Sequence, residues 1–349
     1  MGVAMRIMII CPHFRGIEYG VVESFRRLGY EVYPLYFSVG IDDWHYIQRL
    51  KLKLNISIEG FLSKEMKKFN MRVIGEFNKI NPEYVYVIQG RWMNEETIDF
   101  IRERSYITLY LWDMVSLFPE MIPTFSHYNK VYSFDKNDTE FLRKNDVNAE
   151  YKASGYDPSV YHKMESRKKY DISFIGAMYP ERVEMLKCLI KKFPDLHWAI
   201  YGEYAPLRNP GKWLKWRFST DRNYFRNKNI NKNEVNIVYN ESKIVISIVR
   251  SNQKDGWSAR LPEILGAGAF QITNWYDSVE REFSGCLCTY KTIDELITKI
   301  TYFIEHDVER EKIAERGYQK VLKEFSDDVL NQRVIENFLN TKNMNKKTE

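Results

Sequence analysis

The stretch Met5–Cys11 reads MRIMIIC, an apolar run with three isoleucines that ends at Pro12. Such a run, closed by a proline, predicts a β-strand. Ile17–Leu28 then carries apolar residues at helical spacing, and Glu31–Tyr36 again has the pattern of a strand. A strand, a helix and a strand at this spacing predict the start of a parallel, doubly wound sheet.

The same alternation continues along the chain and then starts a second time. Gly155–Lys169 is irregular, and Asp171–Ile175 resumes the strand pattern. We therefore predict an α/β fold of two Rossmann-like, doubly wound domains that face a cleft, because ligands of such sheets bind at the carboxyl ends of the strands. The predicted boundaries are residues 1–160 for the first domain, 161–325 for the second, 326–340 for a closing helix that packs back on the first domain, and 341–349 for a disordered tail.

The composition excludes several classes of protein. A chain of 349 residues with 44% hydrophobic residues is long enough for two globular domains, and its formal net charge of only +5 predicts no nucleic-acid partner. The spacing of the four cysteines suits neither a disulfide framework nor a zinc site, which predicts reduced thiols and a cytoplasmic protein. No segment approaches the ~18 consecutive apolar residues of a membrane span, so neither a span nor an export signal is expected.

The most informative segment is Asp255–Phe270, which reads DGWSARLPEILGAGAF. Ser258 is placed to cap a short helix, whose free N–H groups would bind a diphosphate together with Arg260. Glu263 is placed to accept hydrogen bonds from the two hydroxyls of a ribose, and Asp255 would lie nearer a sugar. The alternative is that Asp255 and Arg260 form a solvated pair and that Glu263 only complements the helix dipole.

Other candidate residues follow predicted strands. Gly176 comes directly after Asp171–Ile175 and would let the backbone approach phosphate groups, with Arg182 nearby; an ordinary tight turn is the alternative. In the first half, His13 and Asp113 follow strands, where either would take a proton from an acceptor hydroxyl or orient that hydroxyl. For His13 the alternative is a histidine that anchors a loop.

The segment Asp255–Phe270 resembles the Glu-x7-Glu signature of many retaining GT-B glycosyltransferases, with Asp255 in place of the first glutamate and Glu263 matching the second. It is more similar still to the CgeB-like (spore maturation protein) glycosyltransferases. The resemblance covers most of residues 106–325 and extends to Asp171–Gly176 (DISFIG), Tyr179–Arg182 (YPER), Asn236–Val249 (NIVYNESKIVISIV), Asp294–Leu296 (DEL) and Arg310–Val321 (REKIAERGYQKV).

This resemblance implies a GT-B fold and a sugar transfer from a UDP- or GDP-sugar that needs no metal and no further cofactor and retains the anomeric configuration. It implies that Glu263 contacts the donor ribose and that Arg260 lies by the phosphates. Lys243 is a second cationic candidate, with a solvated lysine at a strand entry as the alternative. The acceptor implied is a hydroxyl of a glycan, a lipid-linked molecule or a protein.

Lys212–Lys228 (KWLKWRFSTDRNYFRNK) interleaves basic and aromatic residues. This pattern suits contact with an anionic polymer, a peripheral membrane surface or single-stranded nucleic acid. We interpret the stretch either as a mobile loop on the acceptor side or as a packed surface segment.

Two other functions are compatible with these residues. A nucleotide-sugar epimerase or a phosphorylase would place a similar site on the same fold, although we identify no pyridoxal-binding lysine for a phosphorylase. A non-catalytic module that binds a nucleotide sugar or a polymer would use the basic aromatic stretch instead. A dinucleotide oxidoreductase is disfavoured, because no predicted strand is followed by a GxGxxG motif.

Overall fold

The computed structural model describes residues 4–13, 17–37, 59–207, 209–249 and 255–348. The chain divides into two compact units, Met1–Ala153 with Asp327–Glu349 as the first and Ser154–Ser326 as the second. The sequence places the boundary after residue 160, a few residues later than the structure does. The reason is that Tyr156 forms a parallel bridge with Ser326, which fastens this part of the chain to the second unit.

Each unit is built on one sheet. The first sheet has the spatial order β2-β1-β3-β4-β5-β6 and the second has the order β11-β10-β9-β7-β8. Every strand pair in the described chain is parallel. The strands are β1 (Arg6–Pro12), β2 (Glu31–Phe37), β3 (Tyr84–Ile88), β4 (Tyr106–Leu111), β5 (Lys130–Ser133), β6 (Ala149–Tyr151), β7 (Tyr170–Ile175), β8 (Trp198–Tyr201), β9 (Ser242–Ser247), β10 (Gln271–Asn274) and β11 (Cys288–Tyr290).

Helices alternate with these strands, which confirms the predicted α/β fold of two Rossmann-like domains. The α-helices of the described residues are α1 (Ile17–Arg27), α2 (Glu59–Ile80), α3 (Glu95–Arg102), α4 (Lys136–Lys144), α5 (Pro180–Lys192), α6 (Pro210–Arg217), α7 (Lys232–Asn240), α8 (Arg260–Gly266), α9 (Asp277–Phe283), α10 (Ile293–Glu305), α11 (Asp307–Glu324) and α12 (Asp327–Thr348).

The first sheet is buried on both faces, which explains the unbroken apolar run of β1. Ile7 and Ile9 pack in a core that includes residues of α1 and α12. Met8 and Ile10 point to the opposite face, where the core includes residues of α2 and α3. Successive side chains of a strand alternate between faces, so both sets must be apolar when helices cover both sides.

The strand orders fix where ligands are expected in each unit. In both sheets the second strand along the chain lies outside the first, and the third strand lies on the first strand's other side. The direction of chain progression therefore reverses between β1 and β3 in the first sheet and between β7 and β9 in the second. Open parallel sheets bind ligands at such switch points, beyond the carboxyl ends of the strands.

The last helix packs on the first unit, as predicted for the closing helix, but it extends through the segment predicted to be disordered. Helix α12 belongs to the first unit and continues to Thr348, where the sequence predicts disorder from residue 341. No glycine or proline occurs between Asp327 and Thr348, so nothing in the sequence stops the helix. The Thr341 hydroxyl also donates to the Asn337 carbonyl at 2.9 Å, which satisfies a polar group within the helix.

Candidate functional site

Glycines shape the carboxyl edge of the second sheet, next to its switch point. β7 ends at Ile175, and Gly176 follows it. A Cβ at Gly176 would lie 3.3 Å from the ring of Phe174 and 3.6 Å from Nη1 of Arg182. Gly202, after β8, has φ +152° and would place a Cβ 2.1 Å from the Gly176 carbonyl oxygen. The backbone of Gly202 can therefore approach that of Gly176 as closely as it does because Gly202 has no side chain.

Arg260, the first residue of α8, is held at this edge. Its Nη1 donates to the carbonyl of Ile175 at 2.7 Å and to the hydroxyl of Tyr239 at 3.1 Å. Its Nε lies 3.7 Å from Oε2 of Glu263, and its side chain is 36% exposed. The phenol of Tyr239 and then the Glu263 carboxylate raise the pKa of the guanidinium above its usual value, opposed by burial, so Arg260 stays charged.

Arg182, in the first turn of α5, brings a second positive charge to the same place. Its Nη1 donates to the carbonyl of Ala177 at 3.1 Å, and its guanidinium lies 5.1 Å from the ring centroid of Tyr179. Its Nε is buried with no hydrogen-bond partner among the described residues. Burial and then the charge of Arg260 lower the pKa of Arg182. Two guanidinium groups that repel each other in this way form a site that an anion would stabilise.

Glu263 lies on the inner side of Arg260, among phenol rings. Its side chain is only 12% exposed. Burial and then the Glu263 carboxylate raise the pKa of the Tyr161 phenol, and the rings of Tyr161 and Tyr239 stack with centroids 6.5 Å apart. The site thus combines two cations with a carboxylate that lies close to one of them, Arg260, and interacts with the Tyr161 phenol.

The first unit carries an imidazole at its own switch point. His13 follows β1, and its Nδ1 lies 2.8 Å from Oε1 of Glu18, a residue of α1 that is fully buried. The His13 side chain is 56% exposed and its ring meets those of Tyr19 and Tyr36 edge-on, both at 6.0 Å. A carboxylate at Nδ1 favours the tautomer in which Nε2 is the free acceptor.

Asp113 lies beyond the carboxyl end of β4, close to Gln89 at the end of β3. Gln89 Nε2 donates to Asp113 Oδ2 at 3.4 Å, and Gln89 has φ +66°, which is uncommon for a residue with a side chain. Burial raises the pKa of the Asp113 carboxyl, opposed by the Gln89 hydrogen bond. A raised pKa brings a carboxylate closer to the range in which it acts as a general base.

Comparisons with known proteins indicate the class of enzyme. Residues 182–336 match a family model described as "Glycosyl transferase-like", so the match contains Arg182, Arg260 and Glu263. No curated protein matches the chain significantly. The family match and the fold together support an enzyme of the glycosyltransferase type.

Solved structures match almost the whole chain at low sequence identity. Sucrose-phosphate synthase from Thermosynechococcus elongatus has a TM-score of 0.69 and 10% identity, over 97% of this chain and 100% of that one. Anabaena HepE in complex with UDP and glucose has a TM-score of 0.63 and 10% identity, over 96% and 100%. MnaA of S. aureus with UDP has a TM-score of 0.58 and 11% identity, over 96% and 97%. Likeness at this identity shows the fold alone, an α/β fold of two Rossmann-like domains.

The predicted role of Ser258 as a helix cap is wrong. Ala259 is the N-cap residue of α8, with helical dihedral angles (φ −52°, ψ −24°) and no side-chain cap. The backbone carbonyl of Ser258 accepts from the Leu261 N–H at 3.0 Å instead. A capping serine needs extended backbone at the N-cap position, and the chain already turns helically there. A donor contact by the Ser258 hydroxyl stays a prediction.

The prediction that Lys243 helps to bind the donor phosphates is corrected by its position. Lys243 is the second residue of β9, and its Nζ lies 2.8 Å from Oδ1 of Asp171. Because β7 and β9 are parallel, with Tyr170 opposite Ser242, this ion pair lies at the amino edge of the sheet. Asp171 and Ile175 are four residues apart, so the pair is roughly 13 Å from the arginine site.

Asp255 forms an ion pair that the sequence does not predict. Its Oδ1 lies 3.4 Å from Nη2 of Arg281 in α9, and its side chain is 27% exposed. Residues 250–254, directly before it, lie outside the described residues. Contact between Asp255 and a donor sugar stays a prediction.

Sequence reasoning missed Glu18, Tyr161 and Tyr239. A glutamate in the first turn of a helix normally complements the helix dipole, so its sequence position gave no sign that Glu18 is buried against an imidazole. The one available signal was a carboxylate five residues after a histidine at a strand end. The two tyrosines meet Arg260 and Glu263 only through the fold.

The described residues show neither a metal-binding cluster nor a membrane-spanning helix. They contain no cluster of three or more His, Cys, Asp or Glu side chains with the geometry of a metal site. No helix in this part of the chain has the length and apolar character needed to cross a membrane.

Proposed function

We propose that the protein transfers a sugar from a nucleotide-sugar donor to an acceptor hydroxyl, and that Arg182 and Arg260 hold the donor diphosphate. The observation that carries the proposal is the pair of guanidinium groups at the switch point of the second sheet, where the charge of one lowers the pKa of the other. Guanidinium groups bind phosphate oxygens in a planar, two-pronged manner. A diphosphate bridging both would remove the repulsion between them.

The same two cations suit the chemistry of transfer. As the glycosidic bond to the donor breaks, negative charge accumulates on the departing diphosphate. Fixed positive groups at that point stabilise the transition state more than the bound donor, which is what accelerates a reaction. Arg260 is fixed by its hydrogen bonds to Ile175 and Tyr239, so it needs little rearrangement when the charge develops. This supports a transfer that requires no metal ion.

We assign the donor ribose to Glu263 and the sugar side to Asp255, following the spacing that resembles the Glu-x7-Glu signature of many retaining GT-B glycosyltransferases. Glu263 is three residues, about five-sixths of a helical turn, beyond Arg260 and shares its site, which fits adjacent ribose and phosphate groups. On the same likeness we propose that the anomeric configuration is retained. Proton NMR of the first product formed tests this, because an inverted anomer contradicts it.

UDP is the first nucleotide to test. The HepE structure contains UDP and glucose, and the MnaA structure contains UDP. A UDP-sugar is therefore our proposed donor, and a GDP-sugar is the alternative. For the acceptor side we propose His13 or Asp113 as the group that takes the hydroxyl proton, since each follows a strand of the first sheet. The acceptor class, a glycan, a lipid-linked molecule or a protein, is defined by the transfer assay.

The first experiment measures binding of UDP, GDP, ADP and CMP by calorimetry and thermal shift, without added metal. We expect one of them to bind the wild type and to bind Arg260→Ala and Glu263→Ala at least about tenfold more weakly. Lys243→Ala is the matched control, since this lysine lies at the opposite edge of the same sheet. No binding by any nucleotide, or equal losses in the control, would contradict the proposal.

A second experiment separates transfer from epimerisation. Radiolabelled nucleotide sugar is incubated with and without a mixture of candidate acceptors, and the products are resolved by chromatography. A transferase releases nucleoside diphosphate and labels an acceptor. Interconversion of the nucleotide sugar with no acceptor present would instead establish an epimerase on this fold.

A further inference from the structure

Residues 209–228, which we call the basic platform, concentrate the positive charge of the protein. They include six lysines and arginines and one aspartate, a net charge of +5. The whole chain also has a net charge of +5, so the remaining residues sum to zero. The platform contains α6, the 3-10 helix Thr220–Asn223 and the turns around them, all in the second unit.

The same region presents unusually exposed apolar side chains. Phe218 is 82% exposed and Leu207, just before the platform, is 75% exposed; these are the two most exposed large apolar side chains in the described part of the chain. Leu214 is 49% exposed and lies four residues before Phe218, so the two share one side of the helix end. Helix α6 buries none of its residues. Its partly buried Trp216 packs against the core of this unit, whereas Leu214 is exposed.

The platform is nevertheless firmly attached to the unit beneath it. Within the platform, Trp216 Nε1 donates to the carbonyl of Phe225 at 3.1 Å. Phe225 is fully buried and forms a parallel bridge with Ile200 of β8, outside the platform. The Asn227 side chain accepts from the Ala205 N–H at 2.7 Å and donates to the Ala205 carbonyl at 2.8 Å. These contacts favour the packed surface segment over the mobile loop among the two interpretations of the sequence. The exposed side chains are held outward by an ordered base.

The single acidic residue of the platform does not offset its charge at the surface. Oδ2 of Asp221 lies 2.8 Å from Nζ of Lys187 in α5 and accepts the hydroxyl of Tyr204 at 2.7 Å. Hydrogen bonds from these two groups keep the pKa of Asp221 low despite the opposing effect of partial burial. The carboxylate is thus engaged by Lys187 and Tyr204. Among the basic side chains of the platform, Lys228 pairs with Glu234 at 3.1 Å, and the other five are exposed.

We propose that the basic platform docks on an anionic membrane surface. Side chains such as Phe218 and Leu214 would enter the interfacial region of the bilayer, and the basic side chains would pair with lipid phosphates. Aliphatic side chains gain free energy by leaving water for lipid, whereas they offer no stacking face to a nucleic-acid base. A pocket of about 610 Å³ beside α6 is lined by Arg217 and Trp213 and also by Glu203, so it adds a concave part to this surface but is not by itself an anion site.

The platform follows β8, whose last residue is next to Gly202 at the edge where the arginine pair lies. If the proposed transferase function holds, membrane docking would bring the donor site close to acceptors carried by lipids. The docking itself rests on none of the residues of the nucleotide site, so the two proposals can fail separately.

The test is flotation of the protein with vesicles of phosphatidylcholine alone and with vesicles that also contain phosphatidylglycerol. We expect binding only to the anionic vesicles, weakening as salt is raised. The double variant Leu214→Ser/Phe218→Ser should reduce the partition coefficient at least about tenfold. Lys212→Gln/Lys215→Gln should reduce it about fivefold for each charge removed.

Val308→Ser/Leu322→Ser is the matched control, because these side chains of α11 are 68% and 41% exposed and lie outside the platform. The control should bind vesicles like the wild type, and both platform variants should keep wild-type nucleotide binding, which also verifies their folding. Arg260→Ala should lose nucleotide binding and keep vesicle binding.

Three results would overturn membrane docking. The first is wild-type binding that is absent or equal for neutral and anionic vesicles. The second is a wild-type dimer, seen by light scattering, that the apolar variant converts to a monomer, which would assign the surface to a second copy. The third is binding of oligo(dT) that the platform variants abolish while vesicle binding is unchanged.

Discussion

Arg182→Met is expected to weaken nucleotide binding without destabilising the ligand-free protein by much. The variant removes a charge whose pKa is lowered by burial and by Arg260, and it removes a buried Nε that has no described partner. Relief of such a group returns about 1–3 kcal/mol. Against this stand the hydrogen bond to the Ala177 carbonyl, about 0.5–1.5 kcal/mol, and the contact with the Tyr179 ring, about 0.5–1 kcal/mol.

These contributions nearly cancel, so the free energy of unfolding without ligand should change by no more than about 1 kcal/mol. Nucleotide binding should respond differently, because a charge-assisted hydrogen bond to phosphate contributes about 1.5–3 kcal/mol. The dissociation constant should therefore rise about 10- to 100-fold. A nearly unchanged free energy of unfolding together with a raised dissociation constant distinguishes a ligand-binding arginine from a structural one.

Urea denaturation measures the first quantity, and calorimetric titration with the best-binding nucleotide measures the second. Lys191→Met is the control, since this lysine is exposed near the end of the same helix α5. Two results would refute the reasoning: an unchanged dissociation constant, or a loss of more than about 2 kcal/mol in the free energy of unfolding, which would make Arg182 a structural residue.

Three further predictions concern other parts of the structure. Glu18→Gln should shift His13 away from the Nδ1-protonated tautomer, as measured by nitrogen NMR of the ring; unchanged ring shifts would contradict the pairing seen at 2.8 Å. Burial lowers the pKa of Lys152 to about 8. The folded state therefore binds fewer protons than the unfolded state between about pH 8 and 10.5. Because of this difference, the free energy of unfolding should rise by about 3 kcal/mol across that pH window. Lys152→Met should abolish this rise in urea titrations at several pH values. Gly266→Ala should lower the free energy of unfolding by about 1–3 kcal/mol, since the new Cβ would lie 2.3 Å from a tyrosine ring. Gly75→Ala has open space around it and should stabilise α2 by about 0.5–1 kcal/mol. Thermal unfolding compares the two variants, and equal shifts in their melting temperatures would contradict the packing argument.

The elements that the sequence predicts well are those in which burial alone decides which positions are apolar. Met5–Cys11 is predicted as a strand and Ile17–Leu28 as a helix, and β1 (Arg6–Pro12) and α1 (Ile17–Arg27) agree with them to within one residue at each end. A strand covered on both faces must be apolar throughout, and a helix with one covered face must be apolar at helical spacing. Short elements such as β6 (Ala149–Tyr151) were missed, because three residues carry no period.

The candidate site was predicted in part because strand direction gives position along the sheet. A residue just after a parallel strand must lie at its carboxyl edge, which is how Gly176 and His13 were placed. The same rule, applied to Lys243 at the start of β9, puts it at the opposite edge, where it pairs with Asp171. The contact of Arg260 with Tyr239 joins residues of different helices and depends on packing that no local pattern encodes.

The two units share a strand order, but their switch points carry different chemical groups. This difference is the basis for proposing that each unit binds a different substrate. The second unit brings two guanidinium groups to the end of β7, a place where an anion is stabilised. The first unit brings to the end of β1 an exposed imidazole held by a buried carboxylate, an arrangement suited to accepting a proton. A diphosphate would be repelled by Glu18 and attracted by Arg182 and Arg260. The charges alone thus favour the donor in the second unit and the acceptor hydroxyl in the first.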